Sequence, residues 1–131
     1  MRRFVLVLIA FFAGLLSSGA SMPAVEQPEV AIQSVRLVSD MRVLVTASLR
    51  CTPGTSYTVF AVVNHRGSEQ PVFSAQGSTG GACDGGEANL SIPVILSEHP
   101  SDSIDVRVIV SASTCDAHTC LTDEDLRDVR L

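Results

Sequence analysis

Arg42-Val43-Leu44-Val45-Thr46-Ala47-Ser48-Leu49-Arg50-Cys51 alternates without a break. Val43, Val45, Ala47, Leu49 and Cys51 share one parity, and Arg42, Leu44, Thr46, Ser48 and Arg50 the other. In an extended chain the two parities point to opposite sides, so the first set, Cys51 included, faces a core. The same period returns where Ile104, Val106, Val108, Val110 and Ala112 alternate with Ser103, Asp105, Arg107 and Ser111. Leu90, Ile92, Val94 and Leu96 alternate with Asn89, Ser91 and Pro93, and the proline marks an edge position or a bulge. Tyr57 to Val63 is apolar on both parities and rich in β-branched residues, as a central strand is.

The stretches between are punctuated like turns. Thr52-Pro53-Gly54-Thr55 supplies a preset φ and a residue free to take positive φ. Cys83-Asp84-Gly85-Gly86 carries a hairpin-type turn within the glycine-rich segment from Gly77 to Gly86. Asn64 to Gln70 and Glu98 to Asp102 read as loops, Pro71 to Ala75 as a short edge strand, and Leu126 to Leu131 as a closing strand. Thr122-Asp123-Glu124-Asp125 is the one helical competitor, a cap followed by early acids. About seven short strands with no convincing helix predict an all-β chain, a single antiparallel β-sandwich.

The chain has 131 residues, which allows one domain. Met1-Arg2-Arg3 is followed by an uncharged apolar run from Phe4 to Leu16, then by Ser18 and Ala20 at the −3 and −1 positions of a cleavage site. This is the layout of a secretory signal peptide over 1–20. At about 1.5 Å per residue the apolar run covers roughly 20 Å, short of a ~30 Å hydrocarbon core. Residues 21–28 read as a flexible leader, and 29–131 as the sandwich domain. Cleavage after Ala20 removes two arginines and takes the net charge from −5 to −7. No basic excess exists to engage a nucleic-acid backbone. The expectation is a secreted, monomeric protein with no membrane attachment once the signal is removed.

Four cysteines in an exported domain imply two disulfides, for which three connectivities exist. Cys115 and Cys120 are spaced to clip a loop or hairpin, which leaves Cys51 to pair with Cys83. The competing zinc reading, with His118 between Cys115 and Cys120, has an uncommon spacing and no second pair.

Leu49-x-Cys51-x-Pro53-Gly54, Cys83-Asp84-Gly85 and the alternating strand that follows resemble small secreted immunoglobulin-like domains of actinobacteria, which have no assigned function. Gly54-Thr55-Ser56-Tyr57-Thr58-Val59, Asp84 to Val94 and Cys115-x4-Cys120 are more distantly similar to the neocarzinostatin family of chromophore-carrying apoproteins. That resemblance implies a seven-stranded sandwich and a cleft shaped by the short disulfide. The aromatic lining of such a cleft does not carry over, since this chain has no tryptophan and one tyrosine. Cys51-Thr52-Pro53-Gly54 also resembles a segment of bacterial subtilisin inhibitors, without their cysteine-flanked reactive loop.

Reactive chemistry is sparse. His65, His99 and His118 fall in separate loops, with no nucleophile motif beside them. The acids Asp116, Asp123, Glu124, Asp125 and Asp128 lack the spacing of a calcium loop and read as a solvated face. Asn89-Leu90-Ser91 matches a glycosylation acceptor but reads as an exposed strand residue. Tyr57, Phe60 and Phe73 read as core. No catalytic residue, metal or cofactor is expected. The predicted function is a non-catalytic binding module using loops at one end of the sandwich, through His65, Arg66, Asp116 and His118. The alternatives are a carrier of a small ligand and a protease-inhibitor-like protein, so the partner expected is a protein or a small molecule.

Overall fold

The computed structural model describes residues 26–66, 74–97 and 103–131. The expected signal peptide, the leader up to residue 25, Phe73 and the loop containing His99 lie outside those residues. Among the described residues seven strands follow one another: β1 (Glu29–Ser39), β2 (Arg42–Arg50), β3 (Ser56–His65), β4 (Ser74–Ala82), β5 (Glu87–Ile95), β6 (Asp105–Cys115) and β7 (Cys120–Arg130). They form a three-stranded sheet in the order β1-β2-β5 and a four-stranded sheet in the order β4-β3-β6-β7, with every pairing antiparallel. β5 returns to lie beside β2 after two strands in the other sheet. That is the Greek key of the immunoglobulin-type sandwich, with the fourth strand carried on the second sheet.

Period-two patterning does what it predicts. Val43, Val45 and Leu49 of β2 and Ile92 and Val94 of β5 meet Val59 and Val63 of β3 and Val106, Val108 and Val110 of β6, all fully buried. β3 is central in its sheet, flanked by β4 and β6. β5 is an edge strand, which accounts for Pro93. Gly54 and Gly85 take φ of +85° and +90° in the turns that carry the chain between sheets.

Both disulfides form as Cys51–Cys83 and Cys115–Cys120. The first spans 5.6 Å between Cα atoms and joins the end of β2 to the end of β4, and so ties one sheet to the other. The second joins directly opposed residues at the mouth of the β6–β7 hairpin, with Cα atoms 4.1 Å apart.

Three expectations change. β4 occupies Ser74–Ala82 rather than ending at Ala75, so most of the glycine-rich segment is strand. Tyr57 explains part of this, because its ring lies over Gly81 on the neighbouring strand, where a Cβ would sit 2.7 Å from the phenol oxygen. β7 begins at Cys120, and Thr122 to Asp125 is extended, because pairing with β6 overrides local capping preference. Phe60 points outward from β3 and is 46% exposed, on the parity opposite the buried Val59 and Ala61. Tyr57 packs against the core as expected.

The sheets differ in how their borders close. β4 crosses close over β5, since a Cβ on Gly77 would lie 2.2 Å from the Pro93 carbonyl oxygen. On the other border β7 reaches β1 through side chains. Asp123 and Asp125 stand on the parity of β7 that faces Ala112 and Val110, and accept from the β1 amides of Val30 at 2.9 Å and Ile32 at 2.8 Å. Arg127, two residues on, donates to the carbonyls of Ile32 at 2.8 Å and Gln33 at 3.2 Å. Residues expected to form a solvated acidic face thus hydrogen-bond the backbone of an edge strand. Glu124, between them, faces out and accepts from the Ser111 hydroxyl.

Candidate functional site

Antiparallel order assigns each connection to one end of the sandwich. The turns 51–55, 83–86 and 116–119 share one end with residues 26–28 and both disulfides. The turn at 40–41, the ends of β3 and β5 and the start of β6 share the other. The four binding residues expected from sequence therefore separate: Asp116 and His118 lie at the stapled end, and His65 and Arg66 a strand length away, roughly 30 Å at about 3.3 Å per residue. They do not converge.

At the stapled end Asp116 builds the turn. Its carboxylate accepts from the amides of His118 at 2.7 Å and Thr119 at 2.6 Å, while its own amide donates to the Thr119 carbonyl at 2.9 Å. These backbone donors, with the charge of His118, hold its carboxyl below the usual carboxylate range. The His118 side chain is exposed on this turn. Residues 26–28, the last of the expected leader, are bound at the same end: the Glu26 amide meets Thr52 Oγ1 at 3.1 Å, and Gln27 donates to the Thr122 carbonyl at 3.0 Å. An open depression of about 400 Å³ lies here between Glu26, Arg50, Thr52, Pro53 and Gly85. It adjoins Cys51 rather than the short disulfide.

At the other end His65 closes β3 opposite Val106. Arg66 reaches Asp128 at 3.0 Å, and Arg107 grips the same carboxylate at 2.9 Å and 3.3 Å. The Arg107 bond and the two positive charges lower the carboxyl of Asp128. Arg66 and Arg107 therefore fasten β3 and β6 to β7.

No group of three or more His, Cys, Asp or Glu among the described residues is placed to hold a metal ion. The Cys115–Cys120 bond uses both thiolates that a zinc site would require. Glu124 faces away from Asp123 and Asp125, whose carboxylates are taken by β1, so these three acids do not converge on a cation.

The feature that sequence reading missed lies on a sheet face. Strand registers align Val62 of β3, Ile109 of β6 and Leu126 of β7 in one row across the outer surface of the four-stranded sheet. Phe60 stands next to that row, one outward position along β3. Phe60 and Leu126 are 46% and 47% exposed, and Val62 and Ile109 are partly exposed. Ser78, Ser111, Ser113 and Thr58 border this patch with hydroxyls. Alternation hid it, because the apolar residues on both parities of β3 read as double-sided burial.

No family model matches this chain, and no curated protein does. Among solved structures, the crystal structure of a protein from Archaeoglobus fulgidus is similar over 82% of this chain and 96% of that one, with 10% identity and a TM-score of 0.46.

Proposed function

We propose that this chain is an exported, non-catalytic interaction module whose partner binds the outer face of the four-stranded sheet. The observation that carries the reading is the contiguous apolar patch of Phe60, Val62, Ile109 and Leu126, set among hydroxyls on a rigid sheet. A backbone already fixed in paired strands loses little freedom on binding, and an apolar centre with a polar rim is the arrangement interfaces use. Two disulfides in so small a domain support an extracellular setting. Asp116 is occupied in its turn, Asp123, Asp125 and Arg127 in the contact with β1, and Asp128 in ion pairs with Arg66 and Arg107, which supports a passive surface over a hydrolytic one.

The test is a photo-crosslinking amino acid placed at Leu126, and separately at Ser91 on the opposite sheet, in cells that produce the protein. The expected result is a defined adduct from position 126, lost when Phe60→Asp is added, and none from position 91. Equal labelling from both positions would overturn the reading.

A further inference from the structure

An unpaired strand edge is a template for another strand, and proteins normally protect it with charge, proline, bulges or cover. This sandwich has four border strands: β1, β5, β4 and β7. β1 carries two register shifts, and its backbone is met by Asp123, Asp125 and Arg127. β7 is dense with charge, from Asp123 to Arg130. β5 contains Pro93, whose carbonyl lies under Gly77 of β4.

β4 has none of these devices. It reads Ser-Ala-Gln-Gly-Ser-Thr-Gly-Gly-Ala, with no charge and no proline. Nine consecutive residues pair with β3 in unbroken register. No strand among the described residues pairs with its second edge. Its glycines serve contacts within the chain, Gly77 against β5 and Gly81 beneath Tyr57, so they are not an edge defence.

We infer that β4 pairs antiparallel with β4 of a second copy, about a two-fold axis through Ser78, and joins two four-stranded sheets into one of eight. Three observations favour a second copy over a foreign strand. First, the chain carries a net charge of −5, yet this edge is neutral, so identical molecules meet here without charge repulsion between their edges. Second, pairing about Ser78 sets Gln76 against Gly80 and Ser74 against Ala82, and no proline interrupts the row of backbone donors that such a ladder needs. Third, recognition of a foreign strand draws its specificity from pockets for alternate side chains. The outward positions Ser78, Gly80 and Ala82 form no such pocket. A closed two-fold contact also consumes both edges and ends the growth of the sheet. This replaces the monomer that the sequence suggested. The axis stands perpendicular to the sheet, so both outer faces lie on one side of the dimer, with Ser78 at the border of the apolar patch and Phe60 one strand in from the new ladder. The inference is independent of the partner proposed for that face.

The experiment is sedimentation velocity over a concentration series, on protein purified from its own host in its naturally processed form, with hydrogen exchange on the same samples. The expected result is a reversible monomer–dimer equilibrium, with alternate amides of Ser74–Ala82 exchanging more slowly as concentration rises. Ser78→Glu, which sets like charges directly opposite across the axis, should weaken the dimer about fivefold with an unchanged melting temperature for the monomer. Leu126→Asp, on the outer face, should leave the dimer intact. A protein that stays monomeric throughout overturns the inference. So does a dimer that Ser78→Glu leaves unchanged, or one that Leu126→Asp dissociates.

Discussion

Asp125 shows how far one side chain's role can stand from its composition class. Its carboxylate accepts the Ile32 amide at 2.8 Å across the open border of the sandwich, and Asp123 does the same for Val30. Hydrogen bonds to a charged partner contribute about 1.5–3 kcal/mol, and their loss strands a half-buried amide. Asp125→Ala should therefore cost about 1–3 kcal/mol in denaturant unfolding, and Glu124→Ala, one residue away and facing out, under about 0.5 kcal/mol. Gly77 is bound by sterics instead. Gly77→Ala drives a methyl into the Pro93 carbonyl and should cost about 1–3 kcal/mol, whereas Gly86→Ala meets only an ordinary contact at 3.4 Å. Asp116 titrates below the usual range, so its contribution is complete above the unfolded carboxyl value near 3.9 and is lost as pH falls through the lower folded value. Asp116→Ala should thus lower the melting temperature at pH 6 and converge on the unmodified protein as pH falls through the lowered folded value. A constant gap between the two melting curves would contradict this assignment.

At the scale of elements, the disulfides differ in what they constrain. Cys51–Cys83 closes a loop with a sequence separation of 32 and links the two sheets; Cys115–Cys120 closes one of 5 inside a single hairpin. Loop entropy gives about 3–4 kcal/mol for the first and about 2 kcal/mol for the second. Replacing Cys51 and Cys83 with serine should therefore lower the melting temperature by more than replacing Cys115 and Cys120. The second pair of substitutions should act locally, seen as faster amide exchange at Asp116 to Thr119. β7 carries the same lesson. Its inward positions include Asp123, Asp125 and Arg127, and an apolar-alternation test therefore passes over it. Its strand character comes from its pairing with β6, an amphipathic partner that was plain in the sequence.

For the whole molecule, the apolar patch is a surface feature with little bearing on stability. Phe60→Ser and Leu126→Ser should each cost about 1 kcal/mol, well below the roughly 3–5 kcal/mol of truncating a fully buried aromatic, because about half of each side chain already faces water. A larger loss in thermal unfolding would mean that these residues belong to the core. The separation of His65 and Arg66 from Asp116 and His118 is likewise a property of the whole. Loop composition carries no information about which end of a sandwich a loop occupies; strand order alone supplies it.

The seven-stranded all-β class, the core parities of β2, β5 and β6, and the disulfide pairing were legible in the sequence, since alternation and cysteine placement are local records of which side of a strand is buried. The strand status of the glycine-rich Gly77 to Ala82 and the acidic Thr122 to Asp125 was not, because each is held extended by a neighbour rather than by its own propensity. Tertiary structure alone decided the polar seal between β7 and β1, the alignment of Val62, Ile109 and Leu126, and the bare edge of β4. Each joins residues remote in sequence, and only cross-strand register brings such residues together.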